Sequence, residues 1–142
     1  MSVSISWEGH LTRSLSTLAI CADEGLWAVS ICRNEEARLA AFFSHYKRIG
    51  ISNFLIIDNN SSDHSAEIID EEVGAHRVLL NAPYAEFKPK IRSLIGDCLF
   101  HDKWVLFVDI DEHFVFPGSE TISINRYLRE LEERRAEACL SI

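Results

Sequence analysis

Two aspartates one residue apart close an apolar run. Trp104-Val105-Leu106-Phe107-Val108 leads straight into Asp109-Ile110-Asp111, and Glu112 and His113 follow. Carboxylates held side by side repel each other unless a cation lies between them, and oxygen ligands of this kind suit a hard divalent ion, Mg2+ or Mn2+. In an extended backbone Asp109 and Asp111 point to the same side, because strand side chains alternate with period two. The chemistry on offer is divalent-metal binding with a phosphorylated ligand, weighed against a plain solvated strand end. Asp58 closes a second apolar run, Phe54-Leu55-Ile56-Ile57, where it can accept hydrogen bonds from a base or ribose edge or open an Asx-turn. Arg33 follows a third run, and its guanidinium suits a phosphate clamp, a hold on Asp109, or a surface ion pair. Lys88, Lys90 and Arg92 form a basic cluster, set either against a pyrophosphate or on a solvated helix turn. His113 is set either toward the metal or, the favoured reading, as a strand residue facing the edge of the core. Glu112, opposite to Asp111 in an extended chain, reads as support for it or as a structural residue.

Those residues need elements to position them. Leu26 to Cys32 reads as a first strand. Asn34 is placed as the N-cap of a helix whose apolar positions Leu39, Phe42, Phe43, Tyr46 and Ile49 recur at helical spacing. Lys47 and Arg48 suit its last turn, and Gly50 the left-handed position beyond it. Phe54–Ile57 is strand two, residues 66–73 a short helix closed by Gly74, and His76–Leu80 strand three. Residues 81–87 read as a loop, and Pro89 as the first turn of a helix running to about His101. Trp104–Val108 is strand four, and Phe114-Val115-Phe116 a short fifth strand. Ser123 caps a helix from Ile124 to about Glu137, and Ala138–Ile142 begins another strand. Residues 1–25 are weakly patterned, with Trp7 and Leu15 to Cys21 compatible with a strand or a short helix. Strands alternating with helices imply an α/β fold with a mostly parallel sheet and right-handed crossovers. If strands one and four are neighbours, the sheet reverses direction between them, and the Arg33, Asp58 and Asp109–Asp111 segments surround one crevice.

Composition narrows the function. A chain of 142 residues is one domain or part of one. Its formal charge of -8 argues against a general nucleic-acid binder or a polybasic membrane anchor. Cys21, Cys32, Cys98 and Cys139 show no CxxC spacing and read as free buried thiols of a reducing compartment. The N-terminus lacks a charged region followed by an apolar core, and no apolar run approaches the ~20 residues of a membrane span. The expected location is cytoplasmic, with peripheral membrane contact left open. Asn59 and Asn60 each open a formal glycosylation sequon, read as coincidence. The glycine-rich nucleotide loops, the nucleophile elbow and the HExxH zinc motif are all missing.

Taken together, Val29-Ser30-Ile31-Cys32-Arg33-Asn34-Glu35, Phe54 to Asp63, and Val105 to Phe114 resemble family 2-like glycosyltransferases of the GT-A fold, in the branch whose third motif reads Asp-x-Asp-Glu-aromatic. The likeness runs through residues 27–142 in order and spacing, and His113 stands where that branch carries an aromatic. It implies a Rossmann-like three-layer α/β/α domain, with residues 26–142 as its nucleotide-sugar-binding part. It also implies transfer of a sugar from a nucleoside-diphosphate donor to a glycan, lipid or protein acceptor. Asp58 would read the base, Asp109 would face the ribose, and Asp111 would hold Mn2+ or Mg2+ on the diphosphate, with Asp109 beside it. In that family the catalytic base of inverting members lies beyond the third motif, so the chain is expected to be the N-terminal portion of such a domain. Two other readings stand beside it. One is a non-catalytic binding or assembly module. The other is a phosphohydrolase of the haloacid-dehalogenase type, with Asp109 as nucleophile.

Overall fold

The computed structural model describes residues 6–18, 25–100 and 103–134. Four strands, β1 (Trp27–Cys32), β2 (Asn53–Asp58), β3 (Ala75–Leu79) and β4 (Val105–Phe107), form one all-parallel sheet in the order β3-β2-β1-β4. Five helices cover it: α1 (Trp7–Leu18), α2 (Glu36–Ile49), α3 (Ser65–Glu71), α4 (Tyr84–Leu99) and α5 (Ile124–Glu133). The strands are apolar on both sides because both faces are covered. Ala28, Cys32, Phe54 and Ile56 point into a core with α2, α3 and α5. Trp27, Val29, Leu55, Ile57 and Val78 point the other way, into a core with α1 and α4. The expected α/β class with a parallel sheet is what the chain adopts, and the three layers are consistent with a Rossmann-like GT-A fold.

The chain runs outward from β1 through β2 to β3, then crosses back to lay β4 on the other side of β1. The reversal therefore falls between β1 and β4. The register there shapes the surface. β4 pairs with Trp27–Val29 only, and the Val108 amide donates to the Val29 carbonyl at 3.1 Å. β1 runs on to Cys32, paired with β2 alone. Its last three residues are thus left without a strand on the β4 side, which opens a notch at the carboxyl ends.

Several local expectations are corrected. Residues 7–18 form α1, which buries Leu11 and Leu15. Asn34 is not a cap: α2 starts from Glu35 with no side-chain capping bond, and Asn34 takes a left-handed φ of 54°. Gly50 does close α2 in the left-handed conformation, its amide donating back to the last turn. α3 ends at Glu71, before Val73. α4 starts at Tyr84, so Pro89 lies inside it. The buried Phe87 anchors that early start, and the Pro83 carbonyl accepts from the amides of Glu86 and Phe87.

Residues 114–116 form no strand. Side chains of α2 take up the backbone groups of Phe114 instead. The Phe114 amide donates to the Tyr46 hydroxyl (3.1 Å), and the Phe114 carbonyl lies 2.9 Å from Nε2 of His45. Ser123 caps α5 as expected, its hydroxyl accepting from the Arg126 amide. Cys32 is buried but Cys98 is exposed, so only one of the two described cysteines is the buried thiol expected. The expected strand at 138–142, Cys21 and Cys139 lie outside the described residues. Among the described residues, no helix is long and apolar enough to cross a membrane.

Candidate functional site

The notch beside β1 holds a groove of about 410 Å³ lined by Ile31, Arg33, Glu35, Asn59, Tyr84, Asp109, Ile110 and Asp111. A second groove of about 490 Å³ adjoins it between α4 and the β1–β4 seam, and Ile31 and Asp109 belong to both. The topology therefore brings Arg33, Asp109 and Asp111 together from segments about 76 residues apart. Asp58 is not among the lining residues; its neighbour Asn59 is.

The aspartates do not share a side by strand alternation. The backbone turns after β4, with the Glu112 amide donating to the Asp109 carbonyl at 3.0 Å. Glu112 also bends back, its Oε2 accepting from the Asp109 amide at 3.1 Å. The buried Tyr46 hydroxyl donates to the Glu112 carbonyl at 2.8 Å, which fixes the turn to α2. Burial pushes the Tyr46 phenol pKa up, so it remains a donor through neutral pH. Glu112 is thus a support for the turn, as expected, although the extended geometry assumed for it is absent.

Asp58 is 1% exposed. Its Oδ1 accepts from the Ser61 amide at 2.9 Å, which is the Asx-turn, and its Oδ2 accepts from Nη1 of Arg77 at 3.2 Å. Arg77 grips Asp70 through two further bonds of 2.8 Å, and these hydrogen bonds hold the Asp70 carboxyl below its usual range. Asn59 is 2% exposed. Its amide nitrogen donates to the carbonyls of Leu80 (3.0 Å) and Ala82 (2.9 Å), while its buried Oδ1 has no hydrogen-bond partner. Sequence reading passed over Asn59 as one member of a turn. Its place directly after a strand-ending aspartate was the available signal.

Asn34 joins the two loops at the rim. Its side-chain oxygen accepts from the amides of Ser62 (2.7 Å) and Asp63 (3.3 Å), and its own amide donates to the Ser61 hydroxyl. Glu36 accepts from the His64 amide and ring, and this hydrogen bond raises the His64 pKa. Arg33 itself is exposed and makes no ion pair among the described residues. The basic cluster divides: Lys90 pairs with Glu8 of α1 (3.0 Å), whereas Lys88 and Arg92 line the second groove. His113 is exposed and stacks on His45, ring centroids 4.6 Å apart, so it does not face the core edge as expected.

Among the described residues, no cluster of three or more His, Cys, Asp or Glu is arranged to hold a metal. Glu35, the other acid of the groove, is taken by Arg38 at 2.7 Å. The donor set is therefore two exposed carboxylates. That set fits a hard divalent ion that keeps waters and completes its shell with a ligand's phosphate oxygens. It does not make a closed protein cage.

No family model matches the chain. Over 117 residues, 80% of its length, it is 25% identical to a glycosyltransferase family 92 protein of Oryza sativa subsp. japonica. The chain spans 18% of the length of that relative. The likeness supports a glycosyltransferase relationship in general. The relative's description gives family 92, whereas the sequence motifs resembled the family 2-like branch.

Proposed function

We propose that this chain carries the donor-binding part of a glycosyltransferase that moves a sugar from a nucleoside diphosphate to an acceptor. The carrying observation is the meeting of Arg33, Asn59, Asp109 and Asp111 in one groove at the sheet's switch point. Asp111, with Asp109 beside it, holds Mn2+ or Mg2+ in this reading. Such an ion, when bound, supplies positive charge opposite the negative charge that develops on the leaving diphosphate. Arg33, with no carboxylate partner of its own among the described residues, is free to fork onto a phosphate. Asp58 works from below: it fixes the turn through Ser61, and the buried Asn59 anchors that turn to the Leu80 and Ala82 carbonyls beneath the groove. The general glycosyltransferase likeness, rather than a family 2 assignment, is what the family 92 relative adds to this geometry.

The test is titration calorimetry with UDP and GDP, each with Mn2+ and with EDTA. One of the two should bind, roughly tenfold more tightly with Mn2+, and Asp111→Ala should remove that gain, a loss the size of one or two charge-assisted contacts. If neither nucleotide responds to metal and Asp111→Ala changes nothing, the donor reading fails.

A further inference from the structure

We propose that Lys88 and Arg92 form an anion-binding subsite in the second groove, and that it takes the diphosphate of the donor independently of any metal. The diphosphate assignment rests on the donor reading above. The two residues are four apart on α4, which places them on one face of the helix, and both line the groove of about 490 Å³ that meets the aspartate groove at Asp109.

First, neither residue has a carboxylate partner among the described residues. The chain has 22 acids against 14 bases, so a cation in it easily finds a carboxylate. Several of its cations have done so: Lys90 holds Glu8, Arg38 holds Glu35, Arg77 holds Asp58 and Asp70, and Lys47 holds Glu72. Lys88 and Arg92 make no such ion pair among the described residues. They rest on aromatic rings instead. The Lys88 ammonium lies 5.0 Å from the Tyr84 ring centre, and the Arg92 guanidinium 5.8 Å from that of Phe107. These platforms hold the charged ends near the groove without a carboxylate to neutralise them. Hydrogen bonding to Tyr84 raises the Lys88 pKa, and the charge of Asp109 adds to this, so the ammonium is retained at neutral pH.

Charge is the second argument. Along the joined grooves stand three unpaired cations, Arg33, Lys88 and Arg92, against the two carboxylates of Asp109 and Asp111, with Glu35 matched by Arg38. Three against two leaves this crevice locally positive on a protein of formal charge -8. An Arg fork and a Lys point charge are the pair of donors that phosphate recognition uses.

The test uses inorganic pyrophosphate in EDTA as the probe, followed by UDP and GDP in the same buffer. The native chain should bind pyrophosphate with an affinity that falls as salt is raised. Lys88→Gln/Arg92→Gln should weaken it roughly tenfold or more, and Lys90→Gln should leave it unchanged. Both altered residues are exposed, and circular dichroism of the double variant checks that the fold is retained. An unchanged pyrophosphate affinity in the double variant, or no binding in EDTA by the native chain, overturns the subsite. Pyrophosphate binding that follows Lys88 and Arg92 while neither nucleotide binds supports the anion subsite and overturns the donor assignment alone.

Discussion

Asn59 is held in place by two bonds that its nearest chemical relative is unable to make. Its amide nitrogen donates to the carbonyls of Leu80 and Ala82, which fastens the end of β2 to the segment leaving β3. In Asn59→Asp both donors become acceptors, and two carbonyls face a buried carboxylate. Leaving such groups unpaired costs about 1–3 kcal/mol, and more with a charge involved. The variant should therefore lose about 2–4 kcal/mol in urea denaturation at pH 7. A loss of less than about 1 kcal/mol would show that these bonds contribute little. The same geometry disposes of one sequon, since a side chain 2% exposed and bonded on its nitrogen is closed to glycosylation in the folded chain. Arg33, Asp109 and Asp111, which line one groove, stand out in the sequence because each follows an apolar run. Asn59 does not, because Asn-Asn-Ser-Ser-Asp reads as generic turn chemistry. Which member of such a run turns inward depends on carbonyls 21 and 23 residues away.

At the scale of elements, α4 carries Lys88 and Arg92 and also the least favourable helix residues, Pro89 and Gly96. These lowered the helical signal, and the start of α4 was read several residues late. Residues 1–25 were hard to read for a related reason: among its described side chains α1 fully buries Leu11 and Leu15 alone, and its stability comes from packing on α4 rather than from pattern. A Cβ built on Gly96 meets nothing within 4 Å. Gly96→Ala should accordingly stabilise the protein by about 0.5–1 kcal/mol, the usual helix-interior difference. Gly74 is the opposite case. It has a φ of +86°, and an added Cβ would sit 2.1 Å from the Ser52 carbonyl oxygen. The Gly74 carbonyl also accepts from the Phe54 amide, so relaxation there would disturb the start of β2. Gly74→Ala should cost roughly 2 kcal/mol or more. Thermal melts of the two variants should move in opposite directions, and a shift of the same sign in both would contradict this account of the two positions.

At the scale of the molecule, the strand order could be anticipated because β-α-β alternation with right-handed crossovers leaves few arrangements of a four-stranded parallel sheet. The notch was not legible, since it depends on β4 stopping after three paired residues while β1 continues. The site is thus a by-product of register, and register is set by packing on both faces of the sheet. Those faces are not independent. Leu55 and Ile56 are consecutive residues of β2, both fully buried, one against α1 and α4 and the other against α2 and α3. Because they share one strand, loss of either core should unfold both. Leu55→Ala and Ile56→Ala should each cost about 2–5 kcal/mol, and each should lower a single transition. Trp27 lies in the α1–α4 core and Trp104 packs against the other, so single-tryptophan variants report the faces separately. With Leu55→Ala, the Trp104 signal should fall at the same urea concentration as the Trp27 signal. A Trp104 transition that keeps its native midpoint would mean that the two layers fold apart. The Asp109–Asp111 turn, tied to α2 through Tyr46 and Glu112, would then persist without the layer that carries Lys88 and Arg92.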